Sequence, residues 1–448
     1  MPRMTPARRI AIWFLAAILF GAIVLALPVS AENKSVSFIN ALFTATSAVC
    51  VTGLVVVNIG TTFSTLGEII IMILIQVGGL GLMVISTLFF TAMGSRVSLG
   101  YRMTLKETFG ADGGIQVKTI LRSTFLLTFI VETIGAVILY FPFSSRFGPF
   151  KGAYFAVFHS ISAFCNAGLS LLEGGLSEFS NSVTILLSMG MLIIIGGIGF
   201  SVANELRQRM SFGRKRVPLS LHTKMVLNTT CALVIGGTIA FFLMEKGNAF
   251  KSFSTPMRIL QGFFQSVTSR TAGFDSVSQT SFTEVSLLLT IFLMIIGASP
   301  GSTGGGIKTT SFTIITAAIF SRIRGSSNVN IYKRTVSAES TIKAVSIFVL
   351  AAAIIFAATL MLLLVESHSL PHAIGKEIAL DYFFETVSAF GTVGLSLGIT
   401  PSLHTAGKLI LILVMYMGRV GLLTMAYLVT RPEGSARIVY SEESVMIG

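Results

Sequence analysis

Long apolar runs with little charge recur along the chain at 10–27, 66–92, 123–141, 183–203, 225–244, 284–320 (interrupted), 344–365 and 407–429. Each reaches about the 20 residues a helix needs to cross the hydrocarbon core of a bilayer, so the pattern predicts eight transmembrane helices with both termini on one side. The first run follows Arg8 and Arg9 and precedes Val29-Ser30-Ala31, as a secretory signal would. Its apolar core exceeds the roughly 7–15 residues of a signal, so it is counted as a span.

On the side away from the termini, every connection is too long and too apolar for a simple turn, and each holds a related string. These are FTATSAVCVTGL (43–54), FHSISAFCNAGL (158–169), FFQSVTSRTAGF (263–274) and FETVSAFGTVGL (384–395). Aligned without gaps they superimpose Gly53, Gly168, Gly273 and Gly394, spaced by 115, 105 and 121 residues in a chain of 448. Self-similarity at that period predicts four tandem units, 1–95, 96–210, 211–325 and 326–430, followed by a cytoplasmic tail, 431–448. Each unit reads as span, re-entrant helix, span. Two spans per unit give all units one orientation, so four can surround an axis normal to the membrane, unlike the inverted repeats of many secondary transporters. Stretches such as Asn40–Val49 and Leu380–Ala389 are long enough for a helix and too short to span. The extended pieces that follow are tolerated at membrane depth only against protein or a water-filled cavity. The expected fold is an all-α polytopic membrane protein with a central pseudo-fourfold pore.

Composition agrees. Hydrophobic residues make up 53% and charged residues 11%, against roughly 25% charged in soluble domains, which excludes a soluble enzyme, a disordered chain and a coiled coil. The net charge is +13. About twenty Lys and Arg fall on the side of the termini, while the opposite side has Lys34, Arg146, Lys151, Lys246, Lys251, Arg258 and Lys376. That bias predicts cytoplasmic termini and makes the charge a mark of orientation, not of nucleic-acid binding. Cys50, Cys165 and Cys231 form no CxxC pair and imply neither a disulfide scaffold nor a metal cluster. Nothing resembles an HExxH site, a GxSxG nucleophile elbow or a P-loop lysine in context, Lys308 following Ile307 with no strand before it, and the chain is not expected to be an enzyme.

Rings of backbone carbonyls can replace the hydration shell of K+, and glycine reaches the dihedrals that turn neighbouring carbonyls to one axis. The candidate selectivity filter is therefore Val51, Thr52 and Gly53; Asn166, Ala167 and Gly168; Thr271, Ala272 and Gly273; and Thr392, Val393 and Gly394, with K+ on their carbonyls. The ring includes no acidic side chain. In the sixth run, Gly297, Ala298, Ser299, Pro300, Gly301, Ser302, Thr303, Gly304, Gly305 and Gly306 interrupt the apolar pattern. Such a stretch cannot hold a regular helix and predicts a polar, flexible loop in the pore cavity. Lys308 and Arg419 are charges within the membrane zone, costly unless paired or facing water. Arg270 is expected behind the filter, paired with Glu385. His159 is expected to be a hydrogen-bonded helix residue, and Glu132 and Glu205 interhelical or helix-end groups.

The quartet VCVTGL, FCNAGL, SRTAGF and FGTVGL resembles the Trk/Ktr/HKT superfamily of K+ transporters across essentially the whole chain. The short start, with no extra helical hairpin before the first unit, is more similar to the Ktr membrane subunit than to Trk. The resemblance implies channel-like potassium uptake through one glycine per unit, with K+ selectivity from Gly53 and an intramembrane gate over Gly297–Lys308. It places Arg419 where a family arginine contacts the gate, predicting hydrogen bonds to loop carbonyls that hold the closed state. It also implies a homodimer in the cell membrane on a cytosolic ring of nucleotide-binding regulatory subunits, with Na+ as activator or co-ion. The alternative is a secondary transporter for Na+ or for another solute coupled to a cation.

Overall fold

A computed structural model describes residues 6–32, 35–81, 117–210, 218–367 and 378–422. The basic residues of 82–116, 211–217 and 423–448, the far ends of the second and eighth apolar runs, and the expected tail lie outside these.

The described elements fall into four like-ordered quarters. The first runs α1 (Pro6–Leu25), α2 (Phe38–Cys50) and α3 (Thr65–Leu80). The second runs α4 (Val117–Phe147), α5 (Pro149–Phe164), α6 (Val183–Ile198) and α7 (Phe200–Met210). The third has α8 (Leu221–Glu245), α9 (Thr255–Thr268), α10 (Glu284–Ile295) and α11 (Thr309–Ile323). The fourth has α12 (Ala338–Ser367), α13 (Ile378–Gly391) and α14 (Thr405–Val420). The long leading helices α1, α4, α8 and α12 are apolar and long enough to cross a membrane. One small hairpin departs from the all-helical expectation: β1 (Asn330–Ile331) pairs antiparallel with β2 (Arg334–Thr335). Its turn residues Tyr332 and Lys333 have φ of 50° and 61°, the left-handed pair that a tight hairpin turn requires.

Sequence dictates where the second helices start and stop. Ser64, Ser182 and Thr283 stand at the N-caps of α3, α6 and α10, and their hydroxyls accept the backbone N–H three residues on, satisfying donors that the first turn leaves free. At the other end the expected continuous span 183–203 proves to be broken, and helices end inside the expected spans 66–92 and 407–429. Gly81, Gly199 and Gly421 close α3, α6 and α14 at φ of 80°, 96° and 91°, and α7 leaves α6 at 97°. A glycine of positive φ thus ends the helix in the first, second and fourth quarters, and in the third a longer loop begins at Gly297. The signal was a Gly-x-x-Gly spacing (Gly78/Gly81, Gly196/Gly199, Gly418/Gly421), replaced by Met294/Gly297 in the third quarter.

Each leading helix packs on the short helix after it, and each second helix packs on the short helix of the next quarter: α3 on α5, α6 on α9, α10 on α13 and α14 on α2. The last contact closes the four into a ring. Burial runs opposite to that of a soluble protein. Phe20, Phe129 and Phe356 are each more than 60% exposed on the outer helices, while Ser47, Ser162, Thr268 and Ser388 are wholly buried at the centre. Such an exterior suits hydrocarbon as solvent.

Candidate functional site

At the centre, the four glycine segments meet in cyclic order. A Cβ on Gly53 would lie 2.8 Å from the Ala167 carbonyl oxygen, and one on Gly168 2.7 Å from that of Ala272. On Gly273 and Gly394 it would run into the carbonyl oxygens of Val393 and Thr52. Every glycine is therefore held against the residue preceding the next quarter's glycine, and the fourth abuts the first.

The backbone there is unusual in the same way four times. The glycines have φ of 95°, 66°, 73° and 96°, and the residues two before them, Val51, Asn166, Thr271 and Thr392, also have positive φ, from 50° to 68°. The intervening Thr52, Ala167, Ala272 and Val393 do not. Alternating the sign of φ turns successive carbonyls toward one side, where an ordinary strand alternates them. Three of the four leading residues are β-branched, for which the left-handed region is a true outlier. Each such position costs about 1–3 kcal/mol and persists where the surroundings over-determine it. Short-helix hydroxyls do so here. Ser47 Oγ accepts from Gly53 N at 3.0 Å and Ser388 Oγ from Gly394 N at 3.0 Å. Ser162 Oγ donates to the Leu169 carbonyl at 2.7 Å, and Thr268 Oγ1 accepts from Phe274 N at 2.8 Å. The four helices end directly at these segments, so the negative ends of their dipoles flank the ring.

Thr268, not Val267, fills this role, which corrects the gap-free alignment. The third short helix is one residue out of step: Phe264 is fully buried like Phe43, Phe158 and Phe384, whereas Phe263 is only half-buried. The Phe263-Phe264 doublet concealed the shift.

The loop at Gly297–Lys308 lies immediately beside the first residues of the glycine segments. Gly305 N donates to Thr392 Oγ1 at 3.1 Å, and a Cβ on Gly304 would strike Thr271 Oγ1. Thr303 Oγ1 donates to the Phe164 carbonyl at 3.2 Å, Ser299 N to Gly197 O at 3.1 Å and Phe200 N to Gly301 O at 2.9 Å. Its two ends are tied by Gly297 N donating to Ile307 O at 2.8 Å. Lys308 Nζ donates to the carbonyls of Gly304 at 2.8 Å and Gly305 at 3.3 Å. Arg419 Nη1 donates to the Thr303 carbonyl and its Nη2 to the Gly78 carbonyl. Arg419 occupies the place of Gly79 and Gly197 in the Gly-x-x-Gly register, so one arginine on α14 ties the third-quarter loop to the end of α3. The side chain of Asn166 satisfies its neighbours by donating to Ala163 O at 3.1 Å and Ile193 O at 3.2 Å while accepting from Thr271 Oγ1 at 3.2 Å.

One expectation changes. Arg270 is buried but does not meet Glu385: its Nε has no hydrogen-bond partner among the described residues, and it lines a small pocket with Asn166, Ile193, Gly197, Thr230 and Ala298. Glu385 instead accepts from Ser396 Oγ and, at 3.0 Å, from Thr400 Oγ1. The hydroxyl of Thr392 faces the loop. Glu132 accepts from Gln76 Nε2 of α3 at 3.1 Å, an interhelical role, and Glu205 accepts from Ser220 N at 2.6 Å at the start of α8, a helix-end role. Asp275, two residues past Gly273, was missed; the polar residues two past Gly168 and Gly394, Ser170 and Ser396, were the signal for it.

Comparison with known proteins gives a consistent result. The family model described as "TrkH: Cation transport protein" matches residues 14–437. Potassium/sodium uptake protein NtpJ of Enterococcus hirae is 38% identical, the match covering 100% of this chain and 98% of that protein. Ktr system potassium uptake protein B of Vibrio alginolyticus is 39% identical over 98% of this chain and 94% of its own, and that of Bacillus subtilis 37% over 100% and 97%. The crystal structure of the potassium transporter TrkH from Vibrio parahaemolyticus superimposes with a TM-score of 0.76, covering 96% of this chain and 86% of that one at 17% identity, which shows a shared fold.

Proposed function

The chain belongs to the TrkH family of cation transport proteins, and from that premise we propose that it is a channel-like potassium uptake subunit of the cell membrane. The glycine ring is its selectivity filter: Val51–Gly53, Asn166–Gly168, Thr271–Gly273 and Thr392–Gly394 present carbonyls that take the place of a K+ hydration shell. The observation that carries this reading is the cyclic abutment of the four glycines, each against a carbonyl of the next quarter. Glycine packing alone does not account for β-branched residues in the left-handed region at three equivalent positions. Membrane potential, worth about 2.3 kcal/mol per charge per 100 mV, drives the ion inward.

The four quarters are span, pore helix, span units around that axis, over 1–95, 96–210, 211–325 and 326–430, giving eight spans with cytoplasmic termini. The loop from Gly297 to Gly306 with Lys308 is the gate. In the conformation described it is latched under the filter by Arg419, and Lys308 places an ammonium on loop carbonyls close to the ion's path. The relatives' names describe one protein of a Ktr system, which supports association with further subunits; in the expected homodimer on a cytosolic ring of nucleotide-binding regulatory subunits, exposed Arg322, Arg324 and Arg334 are available for contact. The NtpJ name, pairing potassium with sodium, supports Na+ as activator or co-ion.

The test is rubidium-tracer uptake into proteoliposomes with Na+ as competitor, comparing the wild type with Gly53→Ser and Gly273→Ser. Reduced preference for K+ and Rb+ over Na+ is expected in both. Unaltered selectivity in both would remove the filter reading.

A further inference from the structure

The outer ends of the glycine segments are tied back to the short helices in the second, third and fourth quarters and not in the first. In the second quarter His159 is wholly buried, with Nδ1 2.8 Å from the Phe155 carbonyl and Nε2 2.9 Å from Ser170 Oγ. A ring nitrogen facing a carbonyl must carry the proton, so Nε2 accepts from the Ser170 hydroxyl. In the third quarter Gln265 Nε2 donates to Gln279 Oε1 at 2.9 Å, and Gln279 Nε2 donates to Asp275 Oδ1 at 2.6 Å. In the fourth quarter Glu385 accepts from Ser396 Oγ and Thr400 Oγ1.

Ser170, Asp275 and Ser396 all stand two residues beyond their glycines, and His159, Gln265 and Glu385 occupy one equivalent site on the short helices, the one-residue shift of α9 included. The same pair in the first quarter is Thr44 and Val55. Valine has no hydrogen-bonding side chain, and Thr44 makes no side-chain hydrogen bond among the described residues. Thr52 Oγ1, inside the same segment, is buried without a partner as well. Three chemically different pairs at one geometric position are hard to explain as accidents of packing, because the buried members, His159, Gln265 and Glu385, are each costly to leave without a partner.

We propose that His159, the Gln265–Gln279–Asp275 chain and Glu385 are positioning residues that clamp three walls of the ion path, leaving the first quarter as its pliant wall. Discrimination between K+ and Na+ then depends unequally on the four quarters: it is lost when a clamp is cut and gains when one is added to the first quarter. This rests on the filter reading. A clamp keeps the carbonyl ring at the wider spacing that suits K+; released, the segment can close on the smaller ion.

The experiment measures the rubidium-to-sodium uptake ratio in proteoliposomes for Ser170→Ala, Ser396→Ala, Ser396→Thr and Val55→Ala, with Gly53→Ala as reference and protein incorporation matched. Cutting a clamp should lower the ratio about 5-fold, the worth of one ordinary hydrogen bond. Ser396→Thr, which keeps the hydroxyl, should restore the ratio, and Val55→Ala should leave it within about 2-fold on the same scale. A further variant, Thr44→His with Val55→Ser, should raise it. If the Gly53→Ala ratio falls while both Ser→Ala variants keep the wild-type value, the clamp is overturned and the filter stands. If Val55→Ala lowers the ratio as far as Ser396→Ala, the asymmetry is overturned. If Gly53→Ala also leaves the ratio unchanged, filter and clamp fall together.

Discussion

Replacing Arg419 with alanine tests the latch most directly. Its guanidinium spans two elements, with Nη1 on the Thr303 carbonyl in the loop and Nη2 on the Gly78 carbonyl at the end of α3. Hydrogen bonds from a charged donor contribute about 1.5–3 kcal/mol each. If the loop must leave Arg419 for an ion to pass, the loop-side bond and the loss of the bridge together shift the closed-to-open balance by about 3 kcal/mol, or roughly 150-fold. A gate closed about 99% of the time would then stand mostly open, and rubidium-tracer uptake into proteoliposomes under a fixed potential should rise by well over an order of magnitude. Lys308 still holds Gly304 and Gly305, so some closure should survive. Arg419→Lys keeps the charge but not the two-directional fork and should fall between the two. Uptake at the wild-type rate by Arg419→Ala, with equal protein reconstituted, would refute the latch.

Lys308→Met removes the ammonium from the loop carbonyls and should raise uptake in the same assay; a fall would show that the lysine assists passage. Gly418→Ala should destabilise the fold by several kcal/mol, because a Cβ there runs into the Phe390 carbonyl at the end of α13, and a thermal-unfolding midpoint within a degree of wild type would contradict that packing. The Arg146–Glu178 pair, at 2.5 Å but 62% and 41% exposed, should contribute under about 1 kcal/mol. Glu178→Gln should leave both midpoint and uptake unchanged, and a large loss would indicate a role outside local charge pairing.

Much of this architecture was legible in the chain, and the reasons are local. The four long leading helices follow from apolar run length, because a bilayer sets a minimum length for a crossing helix. The four glycines were legible because each stands in a repeated string, and their conformational demand is a property of glycine itself. The interrupting loop announced itself through five glycines and a proline that no helix can absorb.

Other features depended on contacts between residues far apart in sequence, which no local pattern encodes. The partner of Glu385 was misjudged because opposite charge suggested Arg270, while the fold brought two hydroxyls of its own quarter to it. The one-residue shift of α9 left the string alignment intact at Gly273 and shows only in which phenylalanine is buried and in Thr268 taking the hydrogen-bonding place of Val267. The amino-acid sequence by itself determined a fourfold membrane protein with a glycine at each inner turn. Tertiary structure alone decided the cyclic order of those glycines, the bridge from Arg419 to Thr303 and Gly78, and which wall of the ring lacks a clamp, since each depends on the relative placement of helices that meet only when the ring closes.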